Sequence, residues 1–121
     1  MPIKTILVVD DSATDRQYLT DLLVKSGFQV TGSDSADDAI AKARQLKPDL
    51  VLMDVVMPGQ NGFQATRTLT HDAATKHIPV IICSSKGQET DKVWGLRQGA
   101  KDYVVKPIDQ KDLLAKIAAL G

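Results

Sequence analysis

Four short apolar runs punctuate the chain, and each is cut off by polar residues. Ile6-Leu7-Val8-Val9 stops at Asp10-Asp11, and Leu50-Val51-Leu52-Met53 stops at Asp54. Val80-Ile81-Ile82-Cys83 stops at Ser84-Ser85, and Tyr103-Val104-Val105 stops at Lys106-Pro107. Runs this short, without alternation, predict strands covered on both faces. Phe28-Gln29-Val30 alternates instead, which suits an edge strand with one wet face. Between the runs the apolar spacing turns helical. Tyr18, Leu19, Leu22 and Leu23 form the inner stripe of a first helix, capped by Ser12 or Asp11 and followed by Gly27. Ala36, Ala39, Ile40, Ala43 and Leu46 form a second stripe, stopped by Pro48. Phe63, Thr66 and Leu69 mark a third helix, and Val93 and Leu96 the inner face of a fourth, ended by Gly99. Leu113, Leu114, Ile117 and Leu120 mark the last.

Strands alternating with helices predict an α/β fold, a doubly wound parallel sheet of five strands with five helices on its faces. Right-handed crossovers and an edge position for the second strand favour the flavodoxin-like order 2-1-3-4-5. In such sheets ligands bind beyond the carboxyl ends of the strands, where the strand order reverses, here between the first and third strands. Asp10-Asp11 and Asp54 end those two strands, so three carboxylates converge there, with Ser84 and Lys106 on the same rim. Carboxylates this close either take up protons or bind a cation. A hard, oxygen-seeking ion such as Mg²⁺ fits, because it uses one or two carboxylates and a phosphate oxygen. Lys106 adds a compact positive charge suited to phosphate, and Ser84 a hydroxyl. Together these form a phosphoryl-transfer kit in which a carboxylate can itself be the nucleophile.

Composition narrows the partners. The 121 residues suit one domain, 1–121. Fifteen Lys+Arg balance fifteen Asp+Glu, which argues against a nucleic-acid or membrane-surface binder. A single cysteine makes no internal disulfide and no Cys-based zinc site. No apolar run is long enough to span a membrane and no charged-then-apolar leader is present, so a cytoplasmic protein is expected. Of the acids only Glu89 is a glutamate, and aspartates favour caps, turns and metal sites.

At its polar strand ends the sequence resembles the receiver domains of two-component response regulators, with their CheY-like fold. The carriers are Val8-Val9-Asp10-Asp11-Ser12, Leu52-Met53-Asp54-Val55-Val56-Met57-Pro58-Gly59, Asn61-Gly62-Phe63, Ser84, Gly99-Ala100 and Val105-Lys106-Pro107. The resemblance covers essentially the whole chain. It implies that Asp54 accepts phosphate from a histidine kinase of the CheA type. It implies that Asp10, Asp11, Asp54 and the backbone carbonyl of Val56 hold Mg²⁺, and that Lys106 pairs with the phosphoryl group. Ser84 would swing to bond that group, Tyr103 would follow inward as the switch aromatic, and a cis Lys106–Pro107 bond would aim the lysine. No output domain follows the last helix, so the protein is expected to be a signalling module rather than an enzyme, acting on a downstream motility protein as a monomer or weak homodimer. Gly62-Phe63-Gln64-Ala65-Thr66-Arg67 and the run from Cys83 to Ala100 are similar to stand-alone regulators of type IV pilus twitching motility and their cyanobacterial phototaxis counterparts.

The output surface implied by the resemblance is the fourth helix, fifth strand and fifth helix. Gly87 and Gly95 should loosen that fourth helix. Trp94 is either a partner anchor or packed against a neighbouring element. Cys83 reads as a buried hydrophobe, and His71 and His77 as surface residues. Val56 stands where some receivers carry a polar, water-positioning side chain, which predicts slow self-dephosphorylation. A phosphate sink for a shared kinase and a pseudo-receiver working without phosphorylation are the alternatives within the family. A phosphohydrolase would want a second acid at Val56, and flavin phosphate would be repelled by Asp10-Asp11.

Overall fold

Five strands and five helices alternate along the chain, as the patterning predicts: β1 Thr5–Val9, α1 Ala13–Lys25, β2 Gln29–Ser33, α2 Ala36–Leu46, β3 Leu50–Met53, α3 Gly62–His71, β4 Val80–Ser84, α4 Glu89–Arg97, β5 Asp102–Val105 and α5 Gln110–Leu120. The computed structural model describes residues 2–57, 59 and 61–120, so Pro58 of the Leu52–Gly59 motif lies outside the described residues. All strand pairs are parallel and the order is β2-β1-β3-β4-β5. Ser84 is the last residue of β4 rather than the first of a loop, and β2 begins one residue later than Phe28.

Period-two side chains divide the core between the two faces of the sheet. Leu7, Val9, Val51, Met53 and Val80 pack with Ala39, Ile40, Ala43, Ala65 and Leu69 of α2 and α3. Ile6, Val8, Leu50, Leu52, Ile81, Cys83 and Val104 pack with Leu19, Leu22 and Leu23 of α1 and Leu113 and Ile117 of α5. The central strands β1, β3 and β4 are thus apolar except at Thr5 and Ser84, because both faces are covered. β2 alternates in exposure, as an edge strand should.

Caps hold the helix starts. Ser12, Ser35 and Asn61 each accept the backbone N–H of the residue three positions on, Asp15, Asp38 and Gln64. Tyr18 and Leu46, expected on inner stripes, sit on the outer flanks of α1 and α2 and are about half exposed.

α4 departs most from expectation. Val93 and Leu96 face outward, 43% and 48% exposed, together with Trp94, and the buried residues on this side are Gly95 and Gln98. The reason is packing distance. A Cβ on Gly95 would lie 2.7 Å from Ile82 Cδ1 and 3.1 Å from the Tyr103 ring, so α4 rides against β4 and β5 on its glycine. Apolar spacing cannot mark an inner face built on the absence of a side chain. Gly87 lies in the loop before α4, where a Cβ would be 2.8 Å from Val105 Cγ1, so it permits close approach of that loop rather than loosening the helix.

Candidate functional site

The parallel register brings the ends of β1 and β3 side by side, with Val9 opposite Met53, so the residues that follow share one edge of the sheet. The Asp54 N–H donates to Val9 O at 2.9 Å and the Asp10 N–H to Ser33 O at 3.0 Å, which prolongs the ladder into the site. Carboxylate oxygens of Asp10, Asp11 and Asp54 all lie within 4.8 Å of one another, the one such cluster of potential metal ligands among the described residues. Asp10 and Asp54 are buried, 1% and 6% exposed, while Asp11 is exposed.

Lys106 directly follows β5 and precedes a cis Lys106–Pro107 peptide. Its backbone N–H donates to Ser84 O at 2.9 Å. Its ammonium donates to Asp10 Oδ2 at 2.7 Å and stands 3.9 Å from Asp54 Oδ2. It also donates to Asp15 Oδ2 at 3.0 Å, a partner that sequence reasoning missed. The only available signal was that Asp15 lies three residues after the Ser12 cap, where an acid normally turns back to the cap's N–H. That N–H is taken by Asp10 Oδ1 at 2.9 Å, which leaves the Asp15 carboxylate free to reach across to Lys106. Arg16, also unforeseen, donates to Asp10 O at 2.7 Å and steadies the strand end.

The electrostatics follow from burial and neighbours. Burial pushes the Asp54 carboxyl up from 3.8 to about 6; Lys106 opposes this, and the Asp10 charge adds to it. Burial works against the Lys106 ammonium, but the hydrogen bonds to Asp10 and Asp15 outweigh it and hold the group well above the usual lysine range. Lys106 is therefore a fixed positive charge. Asp54 is a carboxylate whose ionisation the protein alone does not fully compensate, and the surrounding donors are all hard oxygens. That combination fits a divalent ion such as Mg²⁺.

Ser84 is fully buried, and its Oγ accepts the Lys86 N–H at 3.2 Å. Tyr103 already lies inward at 7% exposure, its O–H donating to Lys86 O at 2.6 Å. The ring can occupy this position because Gly95 leaves room for it. The backbone N–H and carbonyl of Lys86 thus link Ser84 to Tyr103 through one residue. Val56, two residues beyond Asp54, donates its N–H to Asp54 Oδ1 at 3.4 Å and exposes half of its side chain on the rim. Trp94 lies on the outer face of α4, 51% exposed and apart from the carboxylates. Cys83 is buried on β4, its thiol pushed up to about 12 by burial. His71 and His77 are exposed, as expected. None of the helices of the described residues is long and apolar enough to cross a membrane.

Comparison with known proteins agrees with this fold. Residues 6–118 match the family model for the response regulator receiver domain. The chain is 60% identical over 115 residues to the protein PilH of Pseudomonas aeruginosa, covering 95% of each. The chemotaxis protein CheY4 of Vibrio cholerae superposes with a TM-score of 0.90 at 27% identity, over 98% of this chain and 99% of that one. CheY in the Borrelia burgdorferi complex of CheX, CheY, BeF3 and Mg²⁺ superposes equally well, with a TM-score of 0.90 at 27% identity over 97% of this chain and 88% of that one.

Proposed function

Because the chain belongs to the response regulator receiver family, we propose that it accepts a phosphoryl group on Asp54 from a histidine kinase and thereby changes the partner it binds, in the control of pilus-based motility. The observation that carries this reading is the buried Asp54 carboxylate between Asp10, Asp11 and Lys106. The motility assignment rests on the similarity to PilH, and the whole of residues 1–121 is read as one receiver domain.

The chemistry is an in-line transfer. An Asp54 oxygen attacks phosphorus, the nitrogen–phosphorus bond of the donor phosphohistidine breaks, and the leaving imidazole keeps the electron pair and takes up a proton. Asp10, Asp11, Asp54 and the Val56 carbonyl would hold Mg²⁺, which when bound supplies charge neutralisation between the acids and the phosphoryl oxygens. Lys106, 3.9 Å from Asp54 as it stands, is close enough to pair with the incoming phosphoryl oxygen. The Ser84 hydroxyl donates to another oxygen. Its turn draws on the Lys86 N–H, and through the backbone of that residue on the Tyr103 hydroxyl bonded to the Lys86 carbonyl. Tyr103 sits under α4, so the change is passed to the face that carries Val93, Trp94 and Leu96. Trp94 is then the partner anchor, since an exposed indole beside two exposed aliphatic side chains is a ready binding surface.

Intact mass after incubation with acetyl phosphate tests the acceptor. The expected result is one added phosphoryl group, dependent on Mg²⁺ and absent from Asp54→Asn. No gain under any condition would leave the phosphorylation-independent alternative.

The half-exposed Val56 also sets the lifetime of the phosphorylated state. A valine offers no hydrogen bond to an attacking water. Val56→Asn is expected to speed loss of the phosphoryl group about tenfold, the rate equivalent of one hydrogen bond of about 1.4 kcal/mol to the attacking water. Its stability should barely change, since the side chain faces solvent. Equal decay rates for the purified phosphoproteins would contradict this.

A further inference from the structure

Lys106 must be free to meet a phosphoryl group, yet here its ammonium is held by two carboxylates, neither of them that of Asp54. Asp10 is a metal-site acid and keeps its place in either state. Asp15 is different. It sits in the first turn of α1, 49% exposed at its side chain, and 91 residues from Lys106 in the chain. Its backbone N–H is spent on the Ser12 cap, and the usual partner of its carboxylate, the Ser12 N–H, is occupied by Asp10. The carboxylate therefore has Lys106 as its ion-pair partner and no role in capping the helix.

We infer that Asp15 is a positioning residue that parks Lys106 away from Asp54 in the unmodified protein and competes with the phosphoryl group for its ammonium. The inference rests on Asp54 being the acceptor. Three features of the geometry support it. The Asp15 contact, at 3.0 Å, is within hydrogen-bond reach, whereas Asp54 at 3.9 Å is not. Asp15 lies outside the three-acid cluster, so its charge is not needed to hold a cation. It stands at the solvent edge of the site, so that releasing it returns a carboxylate to water at little cost. In the modified protein the ammonium exchanges Asp15 for a phosphoryl oxygen, and Asp15 turns outward. Asp15 thus tilts the balance toward the unmodified state and keeps weak phosphodonors from setting the switch.

Beryllofluoride, which stands in for a phosphoryl group on a carboxylate, provides the test. Its affinity is measured by amide NMR at saturating Mg²⁺ for the wild-type protein, Asp15→Asn, Lys106→Gln and the double variant. Asp15→Asn keeps the backbone cap and removes the competing charge, so it should bind about threefold tighter, the scale of a half-exposed ion pair. Asp15→Glu should stay close to the wild type. In the Lys106→Gln background the gain should vanish, because no ammonium remains to compete for. Unchanged or weaker binding by Asp15→Asn overturns the inference. A gain that persists without Lys106 also overturns it, since the effect would then be simple charge removal. A wild-type protein that binds no beryllofluoride overturns the acceptor reading, and this inference with it.

Discussion

Gly62→Ala is expected to lower the thermal midpoint by about 10 °C or more and to disable the acceptor in whatever remains folded. Gly62 is the first residue of α3, directly after the Asn61 cap, and donates its N–H to Val55 O at 3.1 Å. A Cβ there would overlap the carbonyl oxygen of Asp54 and lie 2.6 Å from Val55 Cα. Both are backbone atoms next to the acceptor, and both belong to a segment fixed by the β3 ladder, so neither can give way cheaply. Overpacking of this kind costs about 3 kcal/mol or more when no side chain can rotate aside. At this chain length that corresponds to roughly the loss in midpoint stated above. The control is Gly32→Ala, whose Cβ would meet only the Arg16 side chain, nearest atom 3.2 Å, and a long side chain can yield. Thermal melts of the two variants should differ widely, and phosphorylation by acetyl phosphate should fall only for Gly62→Ala. A Gly62→Ala midpoint within a degree or two of the wild type would refute the close-approach argument.

Asp54→Asn should stabilise the metal-free protein by about 3 kcal/mol at neutral pH. The carboxyl titrates at about 6 in the fold against 3.8 as its ordinary value, mainly because it is buried. An acid whose folded-state pKa lies above its unfolded one weakens the fold at pH above the higher value, and this penalty fades as pH falls from about 6 toward 3.8. Each pH unit between the two values is worth about 1.36 kcal/mol, so the figure above is on the scale of the full difference. Asparagine fills nearly the same volume and carries no charge. Lys106 keeps its ion pairs with Asp10 and Asp15 in the variant, so no cation is orphaned. Denaturant melts in EDTA should therefore show the advantage in full above about pH 7 and its disappearance near pH 4. Saturating Mg²⁺ should shrink it, because a bound ion stabilises the wild-type carboxylate instead. Equal stabilities at neutral pH, or a gain that grows toward acid, would contradict the burial argument.

Much of this was legible in the residues. Continuous apolar runs give buried parallel strands, and the alternation at Phe28-Gln29-Val30 gives an edge, so the order β2-β1-β3-β4-β5 followed from few assumptions. The convergence of Asp10, Asp11 and Asp54 followed from that order alone, because each residue ends a strand and parallel strands end at the same rim. Ser84 and Lys106 fell into place for the same reason. The burial of Cys83 and the Ser12 cap needed only local pattern.

Three features were decided by tertiary structure. The inner face of α4 is Gly95 and Gln98, not Val93 and Leu96, because the helix lies so close to Ile82 and Tyr103 that only a missing side chain fits. Gly62 is required by a carbonyl oxygen of the preceding strand end, a contact that leaves no mark in hydrophobic periodicity. Asp15 holds Lys106 only because Asp10 takes the N–H that a capping acid would have claimed. The sequence by itself determined which residues end the strands, and hence which chemistry gathers at the rim, since periodicity is a property of neighbours along the chain. The tertiary structure alone decided distances of approach and the choice among competing partners, since both depend on groups that the chain brings together only when it is folded.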